Sequence, residues 1–303
     1  MTHQPLEGYP PDDHGDVLAA AAVEIADLEQ RLTSSEFLAF AATTGVQRAR
    51  IASLLADYLG ELRIGLSTLR SLDFGGRRIL EVGAGLGLLS VTLQRAGCDI
   101  TALEPGANGF NDNARLGAAV RTWLGAEKLS VLDIEVASLV PELHGRFDII
   151  FSMNVLEHIP DLPGAMAAME RVLAEDGVMI HMCPNYAMPY DPHFGIPLIP
   201  GAPRFTTRLL PSLRNDPVWR SLNFVTLGQI RRIARDTGLV ATFRPGMLHQ
   251  AFARLDADHA FGARHKGMAT RLQRLLKRTG LLGLLRHLPP SLATPMVFEC
   301  RRR

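Results

Sequence analysis

Short apolar runs alternate with stretches of helical periodicity through most of the chain. In order, the runs read RRILEV, DITALE, LSVLDI, FDIIFSM, VMIHMC, LVATF and PMVFEC. Apolar runs of this length predict buried strands, and strands that alternate with helices are typical of a parallel sheet covered by helices on both faces. The pattern therefore predicts an α/β fold that begins at the break DFGG, from residue 73 onward.

The beginning of the chain follows a different pattern. Residues 15–72 are rich in alanine and leucine, and they predict an N-terminal helical cap in front of the sheet. Within this cap, apolar residues recur at helical spacing and indicate one buried stripe: Ile51, Leu54, Leu55, Tyr58 and Leu62. Residues 1–14 carry acids and prolines and predict a flexible N-terminus.

The composition is that of a globular protein. Of 303 residues, 47% are hydrophobic and 21% are charged, which excludes disordered, collagen-like and coiled-coil proteins. Basic residues number 32 and acidic residues 31, so no overall charge indicates a nucleic-acid partner. The three cysteines, Cys98, Cys183 and Cys300, are too few and too scattered for a disulfide framework or a zinc finger.

The sequence shows neither of two common targeting signals, a signal peptide and a membrane-spanning run. The first residues lack the basic start and apolar stretch of a signal peptide, and no run approaches the roughly 18 apolar residues that span a bilayer. Together with the scattered cysteines, these features predict a cytoplasmic protein.

The strongest candidate binding motif follows the first predicted strand, in the string ILEVGAGLG. Gly83 and Gly85 have no side chain, so backbone amides at the start of the next helix can approach a ligand closely. Glu104 ends the second predicted strand, where a carboxylate can accept hydrogen bonds from both hydroxyls of a ribose. These residues favour a nucleotide-like ligand over a turn that only closes a strand–helix junction.

The spacing of the glycines separates two classes of nucleotide-like ligand. The dinucleotide fingerprint G-x-G-x-x-G needs its third glycine at Leu88, whereas this chain has Gly87, one residue early. An NAD-dependent oxidoreductase is therefore an alternative that the spacing disfavours. A non-catalytic protein that only binds the cofactor is a second alternative.

The string from Glu81 to Gly87 resembles the first motif of class I S-adenosylmethionine-dependent methyltransferases, E-x-G-x-G-x-G. The resemblance implies S-adenosyl-L-methionine as the cofactor and a Rossmann-like seven-stranded methyltransferase sheet whose last strand is antiparallel. Residues 73–303 would form this methyltransferase domain. The resemblance also implies a set of cofactor-binding residues, which are Glu81, Gly83, Gly85, Gly87, Glu104, Asp133, Ile134 and Asn154.

The fourth predicted strand leads into the string NVLEHIPD, which is similar to methyltransferases of ubiquinone biosynthesis. Histidine has a suitable unperturbed pKa for a general base, so we expect His158 to assist methyl transfer to an acceptor oxygen. A capping or packing role for His158 is the alternative. Some relatives of this kind hold a divalent metal here, but Asn154 stands where they commonly carry another acid, and we expect no metal.

A proline-rich, aromatic segment follows the fifth predicted strand. Ligands of open parallel sheets bind at the carboxyl ends of the strands, so residues 184–222 are interpreted as a lid-like insertion over a small-molecule acceptor, or else as a rigid connector. Asp191 and His193 are further catalytic candidates, because a carboxylate near a histidine can orient it. Pro192 lies between them, so whether they pair depends on the shape of the loop.

Residues 262–288 are interpreted as a basic helical insertion. No acidic residue occurs between Asp258 and Glu299, whereas seven cations do: Arg264, Lys266, Arg271, Arg274, Lys277, Arg278 and Arg286. Leucines recur at helical spacing in the same segment, and such leucines more commonly pack onto the core than onto a membrane. The other interpretation is peripheral contact of residues 264–286 with an anionic membrane, which would suit a lipid-linked acceptor.

Overall fold

The computed structural model describes residues 15–106, 111–257, 261–262 and 267–303. The segment 1–14, Arg264 and Lys266 lie outside the described residues. None of the described helices is long and apolar enough to cross a membrane.

Three helices precede the sheet: α1 (Gly15–Leu32), α2 (Ser35–Ala42) and α3 (Arg48–Leu69). The Ser34 hydroxyl caps α2 by accepting a hydrogen bond from the backbone N–H of Phe37. Both α1 and α3 pack against α4 (Leu88–Arg95), the helix that follows the glycine-rich turn. Of the predicted stripe on α3, only Tyr58 is not fully buried.

Seven strands form the main sheet, in the order β3-β2-β1-β4-β5-β9-β8. The first five are parallel, and β9 is antiparallel to both of its neighbours, so the predicted methyltransferase topology is confirmed. The strands are β1 (Arg78–Val82), β2 (Asp99–Leu103), β3 (Ser130–Leu132), β4 (Phe147–Met153), β5 (Leu173–Cys183), β8 (Leu239–Phe243) and β9 (Met296–Arg302).

Helices connect the strands and cover the sheet. The remaining α-helices are α5 (Asn111–Leu124), α6 (Pro141–His144), α7 (Leu162–Val172), α8 (Pro217–Ser221), α9 (Leu227–Asp236), α10 (Met247–Ala257) and α11 (Met268–Arg278). Short 3-10 turns lie at Val136–Ser138, Leu156–His158, Pro203–Arg208, Pro211–Asn215, Leu281–His287 and Pro290–Leu292.

The core is divided into two layers by the sheet. Successive residues of a strand point to opposite faces, so Ile149 and Phe151 pack with the N-terminal helices, whereas Ile150 packs with α7 and α9. Strands that are buried on both faces read as continuous apolar runs, which is why the sequence pattern revealed them.

The proline-rich segment has a small core of its own. It contains an antiparallel hairpin of β6 (Tyr190–Asp191) and β7 (Ile196–Pro197). Its buried apolar side chains are Tyr186, Leu198, Leu213, Trp219, Leu222 and Phe224. Edge-to-face contacts among the aromatic rings hold the segment beside the carboxyl end of β5.

The preferred interpretation of the basic segment, with its leucines packed on the core, is wrong for two of them. Leu272 and Leu275 on α11 are 44% and 57% exposed. Among the described side chains of α11, Gln273 is buried, and its amide donates hydrogen bonds to the Phe252 carbonyl and to Asp256 on α10. Because α11 is attached through these polar contacts, its leucine face is turned away from the core.

Candidate active site

The glycine-rich turn joins β1 to α4 in a conformation that requires glycine. Gly83, Gly85 and Gly87 have φ angles of +72°, +58° and +74°. A Cβ atom on Gly83 would lie 2.4 Å from Cγ2 of Val155, so this position also needs the missing side chain. Gly87 caps the start of α4 and faces open space.

The turn and the acid at the end of β2 are in direct contact. The backbone N–H of Gly85 donates a hydrogen bond to Oε2 of Glu104 at 2.8 Å. The N–H groups of Gly83 and Ala84 both donate to the Leu103 carbonyl, which fixes the turn against the strand that carries the acid. Burial raises the pKa of Glu104, and the Gly85 hydrogen bond opposes this shift.

Glu81, the first residue of the motif, lies beneath the turn. Its side chain is buried and accepts a hydrogen bond from the Ser90 hydroxyl on α4. Burial raises the pKa of Glu81 to about 8, although the hydrogen bond from Ser90 opposes this shift. Glu81 therefore joins the end of β1 to the first turns of α4.

The N-terminal cap contributes residues to the turn that the sequence did not indicate. A Cβ atom on Gly85 would lie 2.2 Å from Cε1 of Tyr58, so the tyrosine ring rests directly on the glycine. The Tyr58 hydroxyl accepts a hydrogen bond from Asn113, and Glu61, one turn further along α3, accepts one from Asn154. Helix α3 thus covers the turn at Gly85.

A small cavity remains beneath this cover. Its volume is about 20 Å³, enough for roughly one water molecule. It is lined by Tyr58, Glu61, Leu62, Glu81, Gly83, Ala84, Leu88, Leu89 and Met153. The carboxyl groups of Glu61 and Glu81 can form hydrogen bonds with an adenosyl cofactor, but Tyr58 must move from Gly85 before such a molecule can enter.

The other predicted cofactor residues lie at the carboxyl ends of neighbouring strands. Asp133 is exposed after β3 and accepts a hydrogen bond from the Gly106 N–H at 3.2 Å. Ile134 is half-buried against the apolar layer of α7. Asn154 follows β4 with a φ of +55°, and its N–H donates to the Met182 carbonyl on β5.

The two groups of catalytic candidates form one cluster. The rings of His158 and His193 are 5.2 Å apart and meet edge to face. Nδ1 of His193 lies 3.6 Å from Oδ1 of Asp191, and Nε2 lies 3.6 Å from Oε1 of Glu157. The hairpin therefore brings Asp191 and His193 together across Pro192, and it adds Glu157, which the sequence reasoning had not selected.

The pKa values of the two histidines are shifted in opposite directions. Burial lowers the pKa of His158 to about 4, so its imidazole is neutral at physiological pH. Burial would also lower the pKa of His193, but the neighbouring carboxylates of Asp191 and Glu157 raise it to about 10. Asp191 is further held by hydrogen bonds from the Tyr186 hydroxyl and the Phe194 N–H.

Ser221 determines the tautomer of His158. The serine Oγ lies 2.7 Å from the Val218 carbonyl, and a carbonyl can only accept, so the hydroxyl proton is used there. The same Oγ lies 2.7 Å from Nδ1 of His158 and must accept its proton. Nδ1 therefore carries the hydrogen, and Nε2 carries the basic lone pair.

The cluster also has the composition of a metal site. Ligand atoms of Glu157, His158 and His193 all lie within 4.8 Å of one another. Among the described residues, neither carboxylate oxygen of Glu157 has a hydrogen-bond partner. The sequence predicted no metal site, but these side chains are ligands that a zinc-like divalent ion accepts. His193 would first have to lose its proton before it could bind such an ion.

Comparison with known proteins places the chain in a family. A family model described as a methyltransferase domain matches residues 48–242. An uncharacterized protein of Mycobacterium tuberculosis is 36% identical over 203 residues, which cover 62% of this chain and 66% of the relative, just under two thirds. A ubiquinone biosynthesis O-methyltransferase of Alkalilimnicola ehrlichii is 29% identical over 200 residues, covering 66% of this chain and 72% of the relative.

Solved structures share lower identity. The O-methyltransferase of a trans-AT polyketide synthase multienzyme of Brevibacillus brevis, solved with S-adenosyl-L-homocysteine, is 12% identical, covers 78% of this chain and 70% of that one, and has a TM-score of 0.47. The family match alone extends over well more than half of the 303 residues. The chain therefore belongs to the methyltransferase-domain family.

Proposed function

We propose that this protein transfers a methyl group from S-adenosyl-L-methionine to a hydroxyl oxygen of a small-molecule acceptor. One observation carries the proposal. The glycine turn with Glu104 and the cluster around His158 both follow the carboxyl ends of parallel strands, and Val155, three residues before His158, packs against Gly83 of the turn. A cofactor on the turn and an acceptor at His158 would therefore be neighbours.

The cofactor site in this proposal has two parts. Gly83, Gly85 and Gly87 allow close approach of the methionine portion, with Glu81 and Asn154 beside it. Glu104 accepts hydrogen bonds from the ribose hydroxyls once the Gly85 N–H releases it. Asp133 and Ile134 are assigned to the adenine end of the site.

His158 is the proposed general base. When bound, the cofactor supplies an electrophilic methyl group, so the protein has to place the acceptor hydroxyl and remove its proton. Nε2 of His158 is unprotonated because Nδ1 donates to Ser221. After it takes the proton, the imidazolium is stabilised by the neighbouring charge of Glu157, which favours the protonated form.

Asp191 and His193 are proposed to act as an ion pair beside the base. His193 remains protonated because two carboxylates flank it, so it can donate a hydrogen bond to an acceptor but cannot serve as the base at neutral pH. Asp191 holds the ring of His193 in place. This division gives each of the two histidines a separate role.

An oxygen acceptor is supported by the neutral base and by the O-methyltransferases among the relatives. A lipid-linked acceptor is the narrower form of the proposal, since membrane contact by residues 264–286 would bring the site to such a molecule. The family match does not favour an NAD-dependent oxidoreductase. A non-catalytic cofactor-binding protein would bind S-adenosyl-L-methionine without transferring the methyl group.

The test is a transfer assay with methyl-labelled S-adenosyl-L-methionine and fractionated cell extract. We expect the label in a methyl ether of a small molecule, at a rate at least about 100-fold lower with His158→Gln. Label on nitrogen or carbon would refute the oxygen assignment. Cofactor binding without transfer to any fraction would support the non-catalytic alternative.

A further inference from the structure

The C-terminal segment presents an apolar surface to solvent. Five leucines between residues 272 and 292 are each more than two fifths exposed: Leu272, Leu275, Leu281, Leu284 and Leu292. We call these leucines, together with Arg271, Arg274 and Arg278, the C-terminal surface. So many exposed leucines in one short segment indicate an interaction site.

Within the part of the chain that the structure describes, the three arginines of this surface have no acidic partner. Lys277 forms an ion pair with Asp256, but no ion pair joins Arg271, Arg274 or Arg278 to an acidic side chain within the described ranges. The segment itself supplies no acid, since none occurs between Asp258 and Glu299. The surface therefore combines uncompensated positive charge with exposed hydrocarbon.

The two kinds of side chain are separated on α11. Leu272 and Leu275 are three residues apart and share one face of the helix. Arg271, Arg274 and Arg278 are three and four residues apart and share the adjacent face. Gln273 points toward α10 and fixes the helix from its inner side. An amphipathic helix with arginines beside its leucines is typical of helices that lie in a membrane interface.

The C-terminal surface is connected to the edge of the sheet where the acceptor cluster lies. The side-chain amide of Asn185 donates hydrogen bonds to the carbonyls of Ser291 and Ala293, at 3.2 and 3.0 Å. Met296 then pairs with Cys183, the last residue of β5. Asn185 also lies at the start of the segment that carries His193. It therefore links the C-terminal surface to the segment that contributes to the cluster.

We infer that the C-terminal surface docks on an anionic lipid membrane, with leucines in the interface and arginines against acidic headgroups. A second copy of the chain would fit less well, because a self-complementary contact brings arginine against arginine. Nucleic acid would leave the leucines uncovered. The inference makes the proposed membrane contact specific and does not depend on methyl transfer.

The test is sedimentation of the full chain with vesicles of phosphatidylcholine, with or without phosphatidylglycerol. We expect binding only to the anionic vesicles, weakening as salt is raised. Reversing three charges with Arg271→Glu, Arg274→Glu and Arg278→Glu should lower partitioning about 100-fold or more. Leu275→Ser with Leu284→Ser should lower it about 10-fold or more.

Matched controls lie elsewhere on the protein. Leu143 is 80% exposed on α6, just before β4, and Leu143→Ser should leave binding unchanged. Exposed arginines away from the segment give the charge control, Arg232→Glu with Arg301→Glu and Arg303→Glu. Circular dichroism must show that each variant is folded.

Three results would overturn the inference. The first is that the wild type does not bind anionic vesicles. The second is that the control variants lose as much vesicle binding as the variants of the C-terminal surface. The third is that the wild type dimerises or binds nucleic acid and that the same substitutions abolish this binding. The methyl-transfer assay in detergent, without vesicles, separates this inference from the proposed function. Membrane binding with no transfer would refute only the function, and transfer with no membrane binding would refute only the inference.

Discussion

Nδ1 of His158 lies 2.7 Å from Oγ of Ser221, so a serine of the proline-rich segment fixes the tautomer of the histidine that follows β4. The serine is itself held by the Val218 carbonyl. The segment therefore contributes to the proposed site directly, because Ser221 orients the proposed base through Nδ1.

Ser221→Ala tests this relationship. Without the serine oxygen, the Nδ1–H of His158 loses the hydroxyl oxygen that accepts it, and the tautomer with its proton on Nε2 becomes accessible. We expect kcat to fall about 10-fold while KM stays within about twofold, because the acceptor contacts are unchanged. Ser221→Thr keeps the hydroxyl and should restore most of the rate. Equal rates for the alanine and threonine variants would contradict the positioning role.

The pH profile of methyl transfer tests the state of His158. Burial lowers its pKa from 6.5 to about 4, and a general base acts only above its pKa. Activity should therefore be constant from pH 7 down to about 5 and fall only as the pH approaches about 4. A fall centred near pH 6.5 would mean that His158 is solvated like an ordinary histidine, or that another group is the base.

Stability measurements test the ion pair around His193. The folded-state pKa of about 10 exceeds the ordinary value of 6.5, so its stabilising contribution is complete below pH 6.5 and is lost as pH rises through about 10. His193→Gln leaves the carboxylates of Asp191 and Glu157 buried without a cation. We expect a loss of about 3–5 kcal/mol in the free energy of unfolding at pH 6, measured with urea.

The same variant supplies an internal comparison. At pH 10 the wild-type histidine is about half deprotonated, so the difference between wild type and variant should shrink. If urea unfolding gives the same difference at pH 6 and pH 10, the stabilisation does not come from the charge of His193.

Gly85→Ala and Gly87→Ala form a matched pair in the turn. Both glycines have positive φ, which costs an alanine roughly 1–2 kcal/mol. Only at Gly85 would the new methyl group occupy the space that Tyr58 fills and that the cofactor would take when Tyr58 moves, whereas Gly87 faces open space. We expect Gly85→Ala to weaken cofactor affinity at least about 10-fold more than Gly87→Ala, as measured by calorimetry. Equal losses would mean that backbone strain alone matters.

The sheet was predictable because strands buried on both faces leave continuous apolar runs in the sequence. The contact between Tyr58 and Gly85 was not predictable in the same way. Periodicity correctly placed Tyr58 near the buried stripe of α3, but only the docking of that helix on α4 determines what the ring touches. No local signal encodes that partner.

Two other features show the same limit. The spacing of Asp191 and His193 across a proline left their pairing open, and the β6–β7 hairpin decides it. In α11 the sequence pattern indicated an amphipathic helix, but it could not show that Gln273, rather than a leucine, faces the protein. The two hydrogen bonds of Gln273 hold that side of α11 against the protein, so Leu272 and Leu275 are exposed instead of buried.

The central claim is that the glycine turn and Glu104 together bind the adenosyl cofactor. Calorimetric titration of S-adenosyl-L-methionine into the wild type and into Glu104→Ala tests it most directly, with the exposed Glu135→Ala as control. We predict that Glu104→Ala weakens binding about 10- to 100-fold through loss of two hydrogen bonds to the ribose, and that Glu135→Ala does not. Unchanged affinity in folded Glu104→Ala would contradict the claim.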